Sequence, residues 1–188
     1  MKFLTTVFLA GALAASPALA EQVQPRGNIG DAAVVGVVSL MLASLPPDVK
    51  VVYDHLASDS RRRTFEVRGL SVVRTTPGMA GTGTLNRLHI AGVDVLQALS
   101  GRPFTADRIE MDSLDVDECP DRKRSRRCRW AVGAIVIEDA EVPSFVALAQ
   151  AGDTPDQALR SIRFSRATVD GRAVRTIPEA LARIRGKR

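Results

Sequence analysis

Five nine-residue segments share one apolar pattern, and no other feature limits the possible folds so strongly. They are Thr64–Val72, Arg87–Val95, Arg108–Val116, Ala134–Val142 and Ser161–Val169. In each, the second, fourth, seventh and ninth residues are apolar. Successive copies start 23, 21, 26 and 27 residues apart. A period of that size describes stacked units, each too small to bury its apolar face alone. Alternation within each copy is that of a strand, where successive side chains point to opposite faces.

The pattern carries a phase slip. On a flat strand, positions two and four share one face while seven and nine share the other. Either both faces of the sheet are partly covered, or a bulge near positions five and six restores a single face. Gly69 and Gly92 fall at the sixth position, where such a bulge would use them. The expectation is a twisted, mainly antiparallel sheet of about five or six repeated strands, preceded by a strand over Val49–Asp54. Short helices are expected around it. Asp31 caps an apolar helix over residues 32–44, stopped by Pro46-Pro47, either buried against the sheet or interfacial on a membrane. Val95–Ser100 makes a turn of helix, Pro143 opens another, and Thr154 and Thr176 each begin a capping box. Thr75–Thr84 is expected to be a Gly-rich loop. The fold class is α+β.

Lys2, the apolar run Phe3–Ala15, Pro17 and the small residues Ala18-Leu19-Ala20 have the three-part layout of a secretory leader. Residues 1–20 are therefore expected to be removed, 21–30 to form a flexible leader, and 31–188 to form one domain. Removing Lys2 takes the formal charge from +5 to +4. With only eight aromatics (six Phe, one Tyr, one Trp), stacking platforms for nucleic acid are scarce. In an oxidising compartment the two cysteines, Cys119 and Cys128, read as a disulfide closing a ten-residue loop, contributing roughly 2.5–3 kcal/mol.

Three stretches carry a further likeness: Val49-Lys-Val-Val-Tyr-Asp54, Val67-Arg-Gly-Leu-Ser-Val72 and Ala106-Asp-Arg-Ile-Glu-Met-Asp-Ser-Leu-Asp-Val116. Together they resemble AsmA-related and other β-repeat envelope proteins of proteobacteria. The resemblance implies long antiparallel sheets and grooves linked to lipid handling, in the periplasm.

Catalytic patterns are absent. There is no G-x-S-x-G elbow and no S-x-x-K, and the only histidines are His55 and His89. Asp54 and His55 are strand neighbours that point apart. His89 is expected on the polar face. Gly81-Thr-Gly83 lacks the remaining residues of a phosphate loop. Asp94, Asp115 and Glu141 share the eighth position, but antiparallel strands place them at opposite ends, so no metal-binding row forms. No cofactor and no metal are expected. The basic clusters are more pointed: Arg61-Arg62-Arg63, the C-terminal arginines, and above all Arg122, Lys123, Arg124, Arg126 and Arg127, all between the cysteines. Fixed arginines bind phosphate well. The leading expectation is a non-catalytic periplasmic protein docking on anionic lipid or an envelope polymer. The alternatives are an assembly partner working through a sheet edge and the apolar helix, then an enzyme of unspecified type.

Overall fold

The computed structural model describes residues 28–30, 34–36, 38, 47–75, 81–100, 102–117, 129–143, 162–176 and 179. They form a nine-stranded sheet. Its strands are β1 (Asn28–Gly30), β2 (Val49–Val52), β3 (His55–Asp59), β4 (Thr64–Arg74), β5 (Gly81–Ala91), β6 (Phe104–Asp117), β7 (Arg129–Val142), β8 (Arg166–Val169) and β9 (Arg172–Val174). One short helix, α1 (Val95–Leu99), is capped by Asp94, whose carboxylate accepts from the Gln97 N–H. From β3 to β9 the strands follow chain order, all antiparallel. The exception in direction is β1, which pairs parallel to β3. β2 and β3 share one partner: β2 lies along the distal half of β4 and β3 along the proximal half.

The apolar pattern is resolved by backbone conformation. All four apolar positions in all five copies lie in a core cluster or pack against one. Along β6 the buried residues are Phe104 and Ala106, then Ile109 and Met111, then Leu114 and Val116. The alternation inverts twice, yet every one of these residues faces the same core.

Each inversion falls at a residue with positive φ or directly across the pairing from one. The sixth position has φ +62° at Gly69, +72° at Gly92, +54° at Ser113 and +50° at Asp139. A single left-handed residue turns the strand so that side chains before and after it meet one face. In the fifth copy, the change of phase falls in the bend at Ser165. No residue is inserted on either strand. Pairing runs from Thr64↔Ala91 to Arg74↔Gly81 with constant register, and likewise across β5–β6 and β6–β7. An ordinary bulge sets two residues against one; here each left-handed residue faces one partner, so both strands invert together.

These residues line up across the sheet in two rows. In the first, Gly69, Asn86, Ser113 and Gly133 occupy facing positions between paired neighbours. It is flanked by Asp54 at one end and by Asp170 at the other. Asp170 accepts from the Gly133 and Ala134 N–H groups at 2.8 and 3.1 Å. In the second, Gly92, Asp107, Asp139 and Ser165 follow one another, and the Ser165 hydroxyl donates to Asp139 at 2.6 Å. Side chains fill the space that glycine leaves. A Cβ on Gly69 would overlap the Asp54 carboxylate, and one on Gly92 would overlap that of Asp107.

Several expectations need correction. The sheet has nine strands rather than five or six. The Gly-rich stretch is not all loop, because Gly81–Thr84 begin β5, where they pair with β4 and β6. The strand expected over Val49–Asp54 ends at Val52 as β2; past Tyr53 and Asp54 the chain continues along β4 in the same register as β3. Asn28–Gly30, counted with a flexible leader, is an edge strand. The second half of Arg87–Val95 leaves the sheet at Gly92, and the chain enters α1 at Val95. Of the apolar helix expected over 32–44, residues 34–36 and 38 are described. They are helical, and Val34 is fully buried in the core. The rest of that segment lies outside the described residues, as do 1–27 and the helices expected from Pro143 and Thr154. The Thr176 capping box is present in part: its hydroxyl accepts from the Glu179 N–H, while the Glu179 carboxylate accepts from the Arg175 N–H one residue before the cap, both at 3.2 Å.

Candidate functional site

The basic segment leaves the sheet from one hairpin tip. β6 ends at Asp117 and β7 begins at Arg129, and these two residues are register partners. Strand pairing therefore holds Asp117 and Arg129, which flank 118–128, at fixed separation. The antiparallel arrangement is the one expected for a bridged loop. Cys119, Cys128, Arg122, Lys123, Arg124, Arg126 and Arg127 themselves lie outside the described residues.

At the base of this tip, Arg129 makes a bidentate pair with Asp115, Nη2–Oδ2 2.6 Å and Nε–Oδ1 3.2 Å. The Arg129 guanidinium holds the Asp115 carboxyl below the usual aspartate range. Asp115 is thereby paired with an arginine of β7.

The polar face below the tip is closed by a chain of ion pairs across five strands. Glu66 on β4 accepts from Arg68 at 2.5 Å and from Arg87 on β5 at 3.0 Å. Arg87 also reaches Glu110 and Asp112 on β6, at 3.7 and 3.8 Å. Glu110 accepts from Arg108 at 2.6 Å, and Arg108 extends to Glu138 on β7 at 2.9 Å. Arg166 on β8 completes the row at 3.9 Å from Glu138. His89 sits on this polar face, half-buried, with Nδ1 3.4 Å from Glu66. It contacts a carboxylate already paired with two arginines. The eighth-position acids form no row: Asp115 lies opposite Thr84 and Ala131, and Glu141 lies opposite Thr105. Among the described residues, no group of three or more His, Cys, Asp or Glu is placed to hold a metal. No helix among them is long and apolar enough to cross a membrane.

The ladder makes the sheet acid-sensitive. Burial pushes the Glu66 carboxyl up, but Arg87 and Arg68 together outweigh it and hold it below its ordinary value. Arg108 is the main cause of the same shift at Glu110. Carboxyls with a lowered folded value contribute stability above their unfolded value and lose it as pH falls through the folded one. Melting temperature should stay level down to about pH 4.5, the ordinary glutamate value, and then fall. Arg87→Gln should cost about 1 kcal/mol at pH 7, roughly 2–4 °C, and less at pH 3. Melts of both proteins at the two pH values check this; an equal deficit at both would count against the ladder.

Arg61 and Arg62 remain exposed in the β3–β4 turn, where both backbone N–H groups bond to Asp59. Arg63 is exposed as well, but its guanidinium is held by donating to the Gly92 carbonyl at 2.6 Å. The ladder partners were not singled out from the sequence. Charges at odd positions of each copy were visible there, but only strand register decides which charges meet.

No protein-family model, curated protein or solved structure matches this chain.

Proposed function

We propose that the chain is an exported, non-catalytic envelope protein that docks on an anionic envelope component, taken here as lipid, through the basic segment Arg122–Arg127. One observation supports this most directly: the 118–128 stretch that contains the segment is flanked by register partners, Asp117 and Arg129, at the tip of the longest hairpin among the described strands. Tethering of this kind lowers the entropy lost when five charges engage a surface. The Asp115–Arg129 pair adds support, because it removes one acid from competition for the basic residues. The leader-like residues 1–20 and the resemblance to envelope proteins give the reading its compartment.

Each basic residue near an anionic surface contributes on the order of 1 kcal/mol at modest salt. Changing Arg124, Arg126 and Arg127 to Ser should therefore weaken binding to phosphatidylglycerol vesicles by roughly two orders of magnitude. Melting temperature should hardly move. Wild-type binding should fall as salt rises, and neutral vesicles should bind neither form. Flotation beside a thermal melt decides: equal flotation with a lower melting temperature assigns the segment to internal charge pairing and defeats the proposal.

A further inference from the structure

At the opposite end of the sheet lies an open cleft of about 390 Å3, lined among others by Arg63, Asp94, Gln97, Thr105, Glu141 and Arg163. β6 runs from the cleft to the basic tip, a 14-residue strand of roughly 40 Å, so the two features are separate. The volume is within the range that small ligands occupy.

Charge pairing behaves differently here from the rest of the polar face. Glu66, Glu110, Glu138 and Asp115 are each closed off by an arginine at 2.5–2.9 Å. Glu141 and Arg163 are direct antiparallel partners. Their backbones exchange both hydrogen bonds, at 2.9 and 3.1 Å, which puts the two side chains on one face. Nevertheless these side chains make no ion pair with each other or with any described residue. Both line the cleft. The other walls are held in place: Arg63 by the Gly92 carbonyl, Gln97 by donation to the Pro103 carbonyl at 2.8 Å, and Asp94 by its cap on α1. The cleft thus presents two cations and two carboxylates. A balanced set gives a simple anion no net attraction, but it matches a ligand that carries both signs.

We propose that this cleft binds a small zwitterion, an ammonium a few bonds from a phosphate or carboxylate, with Arg163 and Arg63 receiving the anion and Glu141 the ammonium. An aminoalkyl phosphate head group and a free amino acid share that chemistry. The inference goes beyond the docking reading and does not depend on it.

The test titrates the full mature protein with O-phosphoethanolamine and with glycine, followed by amide shifts of Thr105 and Gln97. At least one probe should bind with Kd of the order of 1 mM, and inorganic phosphate or ethanolamine alone at least about tenfold more weakly. The tighter zwitterion tells which source the cleft accepts. Arg163→Gln and Glu141→Gln should each weaken that probe about tenfold or more. Both side chains are exposed, and the strand bonds between them are backbone bonds, so both variants should fold. Vesicle flotation of both should equal wild type, which separates this result from the fate of the basic tip. Phosphate binding as tightly as phosphoethanolamine, or Glu141→Gln binding it as tightly as wild type or more so, would overturn the zwitterion. Absence of any probe-dependent shift would overturn the site.

Discussion

Gly69→Val is expected to destabilise the protein by about 3 kcal/mol or more, although valine normally suits a strand better than glycine does. The reason is local to one backbone angle. Gly69 has φ +62°, a left-handed conformation that costs an L residue roughly 1–2 kcal/mol and a β-branched one more. The new side chain must also displace the Asp54 carboxylate, which occupies the space beside Gly69. For a domain of this size, such a loss should lower the melting temperature by roughly 6–12 °C. Ser113→Gly is the counterpart. Ser113 is exposed and already left-handed at φ +54°, so glycine there should be neutral or stabilising by up to about 1 kcal/mol. Urea unfolding of the two variants measures both effects. Gly69→Val as stable as wild type would mean that the strand does not turn at this residue.

Leu114→Ala is expected to cost about 2–5 kcal/mol, the usual range for a leucine truncated in a packed core. Leu114 is 4% exposed and belongs to the cluster that also holds Met111 and Val116. Strict alternation from Met111 would put residue 113 inside and residue 114 outside. The same substitution would then fall within about 0.5 kcal/mol of wild type, as for ordinary surface positions. Asp112→Ala is the comparison on the same strand. Asp112 is a half-buried polar-face residue 3.8 Å from Arg87, and its loss should cost no more than about 1 kcal/mol. Denaturant titration gives both values on one scale. Similar small losses for the two variants would restore the flat strand.

The relation between these residues shows how far the pattern could be read in advance. The five copies, their antiparallel strands and the need for a correction near position six were all legible, because burying apolar side chains on one sheet face leaves a mark at every second residue. Gly69 and Gly92 marked the place of the correction. Ser113 and Asp139 adopt the same conformation without being glycine, and a short polar side chain at position six is a weaker sign of it. Gly81–Thr84 misled in the other direction. Glycine and threonine there suggest a loop by composition, whereas pairing with β4 and β6 on both sides holds them in a strand.

The candidate sites divide along the same line. The basic run is contiguous, so its density of charge is apparent from neighbouring residues alone. The ladder and the cleft are not contiguous: Glu66 meets Arg87, and Glu141 meets Arg163, across gaps set by strand lengths and register.

By itself, then, the sequence determined the five apolar repeats, their strand-like alternation and the charged segment between the cysteines, because each depends on spacing along one stretch of chain. Only the tertiary structure decided that the phase slips line up in two rows, each containing left-handed residues, and that neither strand gains a residue. It alone also decided which charges close on one another and which stay open to a cleft. Those outcomes depend on what lies across the sheet, and register is a property of pairs of strands that no single strand carries.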